Sequence, residues 1–152
     1  PSNIMIVQDP TLGELAKILD FGIAKLMQID SDQTNCFMGT LAYASPEQME
    51  GRDLDSRSDI YSLGVMMFQM LTGHLPLRAS SHTFGGWYKV HQTQVPKRMG
   101  EVASNIKIPK LLEDLVMSCM AKPPEDRPQN TQELLQTLEP LQARYVNGFR
   151  IS

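Results

Sequence analysis

Cysteine is scarce in this sequence: two among 152 residues, Cys36 and Cys119, far apart and outside any Cys-x-x-Cys spacing. That leaves no disulfide framework and no thiolate metal site, and the expectation is reduced thiols in a cytoplasmic protein. Histidine is sparse too. His74, His82 and His91 have no cysteine or carboxylate at ligand spacing, which argues against zinc. Positive charge is not in excess: 14 Lys and Arg stand against 17 Asp and Glu, for a net charge of −3 and a pI near 5.6. The basic residues are scattered, so nothing forms the footprint of a nucleic-acid or anionic-membrane binder. Long hydrophobic runs are lacking as well. The longest, Leu63 to Phe68, falls far short of the roughly 20 residues that span a bilayer, and no signal peptide is visible.

What is present is globular. Hydrophobic residues make up 41% and charged residues 20%, which excludes a disordered or collagen-like chain and suits one domain. The sequence opens at Pro1-Ser2-Asn3 and enters the apolar, β-branched stretch Ile4–Val7 at once, so the expectation is a chain cut inside a domain. The turn-prone run Gln8–Gly13 and a second apolar run, Leu15–Leu19, predict a β-hairpin over residues 4–19 with a loose loop. Residues 20–45 hold no period, and Gln28–Asn35 reads as a solvated loop. Pro46–Glu50 is expected to be a short helix, with Ser45 as cap and Gly51 as stop.

The strongest helical signal runs from Asp59 to Leu71, with Ser56 or Ser58 as cap and Thr72-Gly73 as end. It is apolar on nearly every side, which predicts a helix buried all round, with Met66, Met67 and Met70 in the core. A short helix is expected within Ser80–His91, carrying Trp87 and Tyr88. Helical spacing returns at Leu111, Leu112, Leu115, Val116 and Cys119 behind Pro109, and at Leu134, Leu135, Leu138 and Leu141 behind Thr131. Lys122–Pro128 between them is too proline-rich for a helix. The fold class is mainly α, with a small β-hairpin at its front.

Asp20-Phe21-Gly22 ends the hairpin: an aspartate leaving a strand, an aromatic to pack behind it, and a glycine permitting an unusual turn. Asn3 stands at the same mouth. An amide and a carboxylate oxygen there suit Mg²⁺ and a triphosphate. Further landmarks follow in order: Gly39-Thr40, Ser45-Pro46-Glu47, Asp59–Gly64 and Asp126-Arg127-Pro128. On these residues the sequence resembles the C-terminal lobe of Hanks-type serine/threonine protein kinases, most of all bacterial and cyanobacterial ones.

The resemblance implies one lobe of a two-lobed α+β domain, with the hairpin at 4–19, an activation segment at 20–47 and a helical subdomain at 48–142. It makes Asn3 and Asp20 the metal ligands, with Gly22 beside them at the ATP site. Phe21 would join the regulatory hydrophobic column, and Thr40 would help position the catalytic aspartate. Glu47 would pair with Arg127 as a structural tie, and Asp59 would accept backbone hydrogen bonds from the catalytic loop. Tyr61 stands where the family commonly has tryptophan, and Ser45 where it commonly has alanine.

Ser31 and Thr34 are candidate phosphorylation sites, against the plain alternative of solvated loop residues. The 80–91 region, with His82, Trp87, Tyr88 and His91, falls where the family has a docking helix; packing is the competing reading. The implied activity is transfer of the ATP γ-phosphoryl group to protein Ser/Thr hydroxyls, with Mg²⁺. The His-Arg-Asp motif, the Gly-rich loop and the ATP-anchoring lysine, which the family carries N-terminally, do not occur in these 152 residues, so this chain by itself is expected to be inactive. A pseudokinase or interaction module is the alternative; intact Asn3, Asp20 and Thr40 argue against it.

Overall fold

The computed structural model describes residues 3–19 and 41–148, with side chains as far as residue 141. Two antiparallel strands, β1 (Ile4–Asp9) and β2 (Gly13–Ile18), pair from Ile4↔Ile18 to Asp9↔Gly13. Their connection is tight rather than loose. The Asp9 carboxylate accepts the Thr11 and Leu12 N–H groups at 2.8 and 2.9 Å, and Gly13 takes a φ of 77° to re-enter the ladder. Those two N–H bonds hold the Asp9 carboxyl below the ordinary carboxylate range.

Helix α1 (Pro46–Glu50) has the expected ends. Ser45 accepts the Gln48 N–H while the Gln48 side chain accepts the Ser45 N–H, and Gly51 closes the helix in the left-handed region. The long helix α2 (Ser56–Thr72) starts one residue earlier than its serines suggest. Asp55 is the cap, accepting the Arg57 N–H at 2.8 Å, and Ser58 is free for another task. α2 is also not buried all round: Met70 is 64% exposed, and Met66 and Met67 are half-buried. A run of apolar residues therefore overstated the burial, because one edge of α2 faces solvent.

Helix α3 (Phe84–Thr93) is capped by Thr83, and α4 (Met99–Val102) is a short helix without a side-chain cap. Nothing in the 99–102 sequence announces α4; it forms where Met99 is drawn wholly into the core. Helix α5 (Lys110–Cys119) begins behind Pro109, and Pro124–Asp126 makes a single 3₁₀ turn. Helix α6 (Thr131–Gly148) runs beyond residue 142 and through Pro140. Its cap is Asn130, whose Oδ1 accepts the Glu133 N–H at 3.0 Å, and not Thr131.

α2 is the hub, packing on α5 and α4, while α1 packs on α3 and α5 on α6. Tyr61, Val65 and Phe68 of α2 meet Met99, Val116 and Met120. On the adjoining side Ile60 meets Leu115, Cys119 and Leu134. A third cluster gathers Leu41, Ala42, Ala44, Met49, Leu77 and Trp87, which seats the segment before α1 against α3. Among the described residues no helix is long and apolar enough to cross a membrane.

Candidate functional site: the 41–47 segment and its anchors

The segment Leu41–Glu47 carries almost no exposed surface, so each of its polar groups needs a partner. Helix α2 supplies most of them from successive turns. Ser58 Oγ donates to Glu47 Oε1 at 2.6 Å, Ser62 Oγ donates to the Tyr43 carbonyl at 2.8 Å, and Gln69 Oε1 accepts the Tyr43 hydroxyl at 2.5 Å. These residues lie four and seven apart, which places them along one helical stripe.

Glu47 and Arg127 form a bidentate pair, with Nη1 2.7 Å from Oε1 and Nη2 2.9 Å from Oε2. Their side chains are 5% and 0% exposed. The remaining guanidinium protons go to carbonyls: Nε to Ala121 at 2.8 Å, Nη1 to Arg57 at 3.0 Å and Nη2 to Lys122 at 2.8 Å. The guanidinium also lies over the Tyr61 ring, 4.9 Å from its centroid. Burial alone would raise the Glu47 pKa, but Arg127 and then Ser58 hold it down at about 2. This is a fully satisfied buried ion pair, and it fastens the start of α1 to the turn before α6.

A second anchor passes through Tyr61. Its hydroxyl is 2.9 Å from His91 Nδ1, and His91 Nε2 is 2.9 Å from the Leu41 carbonyl. Lys122 Nζ donates to the Tyr61 oxygen at 3.4 Å. Burial, and then the nearby Lys122 charge, push His91 down to about 4; burial, and then Arg127, bring Lys122 down to about 8. The hydroxyl that distinguishes Tyr61 from a tryptophan is thus in use. The resemblance, which set Tyr61 where tryptophan is common, did not show this role; a histidine four residues after Trp87 on α3 was the available signal.

Of the other sequence-derived site residues, Asn3 is exposed at the open end of the hairpin, where its carbonyl accepts the Leu19 N–H at 2.9 Å. Asp59 is exposed in the first turn of α2. Asp20, Phe21, Gly22, Ser31, Thr34 and Thr40 lie outside the described residues. In the 80–91 region Trp87 and His91 are buried, whereas His82 and Tyr88 are exposed, and Phe84 stacks on Tyr88 with centroids 6.2 Å apart. Cys119 is a buried free thiol pushed up to about 11 by burial, which makes it chemically inert. Among the described residues no group of His, Cys, Asp and Glu could hold a metal ion.

Residues 1–138 match the family described as protein kinase domain. The chain is 55% identical over 144 residues to serine/threonine-protein kinase A of Synechocystis, covering 94% of this chain and 27% of that protein. It is 35% identical over 148 residues to a probable serine/threonine-protein kinase of Clostridium acetobutylicum, covering 97% of this chain and 21% of the relative. With the PknB kinase of Mycobacterium leprae it shares 33% over 136 residues, 88% of this chain and 21% of that one. The chain thus spans about a quarter of the length of these curated relatives. Among solved structures, the twitchin kinase region from C. elegans superposes with a TM-score of 0.54 at 22% identity, over 67% of this chain and 17% of that one, which speaks to the fold. The chain belongs to the protein kinase domain family, with its relatives among the bacterial serine/threonine-protein kinases, and its fold is that of the helical C-terminal lobe.

Proposed function

We propose that this chain is the C-terminal lobe of a kinase that transfers the γ-phosphoryl group of ATP to Ser or Thr hydroxyls of protein substrates. The observation that carries this reading is the 41–47 segment, whose polar groups are individually tied to α2, α3 and Arg127. A segment fixed so completely is suited to present a substrate hydroxyl, because phosphoryl transfer is mainly a matter of positioning and charge stabilisation. Residues 20–47 are read as the activation segment, with Thr40 at its substrate-facing end and Ser31 and Thr34 as its phosphorylation sites.

Asn3 and Asp20, with Gly22 beside them, are assigned to the metal–ATP end. Asn3 is exposed where β2 leads toward Asp20, and an amide plus a carboxylate is an oxygen donor set that fits Mg²⁺. Bound there, Mg²⁺ would neutralise charge on the transferring phosphates. Phe21 is assigned to the hydrophobic column behind Asp20, and Asp59 to the catalytic loop's backbone. The hairpin supports a two-lobed arrangement: Ile6 is 62% exposed and Ile18 57% exposed, an apolar surface suited to cover by a nucleotide-binding lobe. The 80–91 region, with Phe84 and Tyr88 exposed, is assigned to docking of protein partners. Scarce cysteines, one of them a buried thiol, favour a cytoplasmic setting.

The base and nucleotide cradle are not among these residues, so the purified 152-residue chain incubated with Mg-ATP and a generic protein substrate should incorporate label at background only. The intact kinase should transfer phosphate, and Asp20→Ala in it should abolish transfer with the circular dichroism spectrum retained. Incorporation by the isolated chain, or full turnover by the Asp20→Ala kinase, would overturn these assignments. An intact protein that folds, binds partners and transfers nothing would be a pseudokinase.

A further inference from the structure

We propose that His91 is a positioning residue: the hydrogen-bonded bridge by which α2 and α3 fix the Leu41 carbonyl, and with it the stretch of chain that follows Thr40. The hydrogen-bond roles follow from the partners. A carbonyl only accepts, so Nε2, 2.9 Å from Leu41 O, carries the proton. Nδ1 of the neutral ring is then an acceptor and takes the Tyr61 O–H at 2.9 Å. The Tyr61 oxygen in turn receives Lys122 Nζ at 3.4 Å. Donation therefore runs in one direction, from Lys122 through Tyr61 and His91 to Leu41.

His91 and Tyr61 are fully buried and Leu41 nearly so; among groups so enclosed, losing either partner leaves a polar atom without water. The ring is held on its other side by Trp87, with centroids 5.7 Å apart. The charged groups facing this chain are Lys122, and Arg127 across the Tyr61 ring, both of which favour the neutral imidazole. Glu47, bound to Arg127, is the acidic group one step further away.

The ends of this bridge give it its meaning. Leu41 begins the segment whose next anchors are Ser62 and Gln69 on Tyr43 and Ser58 and Arg127 on Glu47. Of these anchors His91 holds the residue next to Thr40 in sequence, Leu41. The catalytic consequence rests on the proposed reading of Thr40 and its neighbours as the substrate-facing loop; the tether itself does not.

The test uses two variants in the intact kinase. His91→Phe keeps a flat ring and removes both bonds. His91→Gln keeps one donor and one acceptor. Amide hydrogen exchange at residues 41–44 should accelerate on the order of ten- to a hundred-fold in His91→Phe, with Val65 and Phe68 of α2 unchanged, and should return to within a few-fold of wild type in His91→Gln. In the same proteins KM for a protein substrate should rise about tenfold in His91→Phe, with kcat and KM for ATP nearly constant, and His91→Gln should recover most of that loss. Exchange that rises equally across α2, or no recovery by His91→Gln, would mean that His91 is ordinary core and overturn the proposal. Altered exchange at 41–44 with an unchanged KM would overturn its positioning role. A wild-type kinase that transfers no phosphate would instead defeat the functional reading, while the exchange comparison would still decide the tether.

Discussion

At the scale of single residues, the decisive feature is a charged pair placed where water does not reach. Each ion of a buried pair forfeits its hydration, and the bidentate contact of Glu47 with Arg127, plus the Ser58 hydroxyl and carbonyls of residues 57, 121 and 122, restores what is lost. Removing one partner strands the other. Glu47→Ala is expected to cost about 3–5 kcal/mol of stability, read by urea unfolding, whereas the double change Glu47→Leu with Arg127→Met should cost less than either single variant. A Glu47→Ala loss below about 1 kcal/mol would show that the pair is not the tie described. The same logic separates Tyr61 from the tryptophan its position resembles: an indole N–H can only donate, and the chain to His91 Nδ1 also needs an acceptor for Lys122.

At the scale of elements, α2 works because it can come close to α5. A Cβ added at Gly64 would lie 2.6 Å from Cys119 Cβ and 3.0 Å from Met120 Cγ, distances that helix backbones must move to relieve. Gly64→Ala should therefore destabilise by about 1–3 kcal/mol in spite of alanine's better helix propensity. Gly85, in the first turn of α3, has open space around its missing Cβ, and Gly85→Ala should be neutral or stabilising by up to about 1 kcal/mol. Thermal unfolding of the two variants checks the contrast; equal shifts would mean that propensity and not helix approach governs both sites. Capping follows comparable local physics. Asp55 and Asn130 outcompete the serines and threonine beside them because their carbonyl-type oxygens reach N–H groups of the first turn.

At the scale of the whole molecule, two buried titratable groups make the fold sensitive to acid. The His91 imidazole sits at about 4 in the folded chain against an ordinary 6.5. The unfolded chain therefore binds more protons between those values, so stability is complete above pH 6.5 and falls as the pH drops toward 4, by up to about 3 kcal/mol. Glu47, at about 2 against an ordinary 4.5, adds a second loss that begins below pH 4.5 and extends toward pH 2. Urea unfolding at pH 7, 5.5 and 4 should show the first slope in the wild type. His91→Gln, which does not titrate, should flatten that slope while keeping the loss below pH 4.5. Parallel curves for the two proteins would remove His91 from the account. The helical part is organised around α2, whereas the hairpin, with five of its larger apolar side chains exposed (Met5, Ile6, Leu12, Ile18, Leu19), is a two-stranded unit of a kind that is marginal without cover.

The boundaries of α1 and α5 and the existence of a hairpin over residues 4–19 were legible in the sequence, because caps, prolines, glycines and hydrophobic periods act over a few residues. The pairing of Glu47 with Arg127, 80 residues apart, was implied by the family resemblance and by no local rule. Periodicity also marked α2 as the central helix. What it did not reveal was which edge stays wet, since Met70 and Met67 look alike until α4 and α5 choose a side. Nor did any local rule announce α4, which owes its place to Met99 filling a hole in the core. The sequence by itself determined the kind of lobe this is and the residues it has to offer. Only the tertiary structure decided that Tyr61, His91 and Lys122, far apart along the chain, meet in one line of hydrogen bonds ending at Leu41, because such a line depends on three-dimensional placement to within a few tenths of an ångström and leaves no periodic trace.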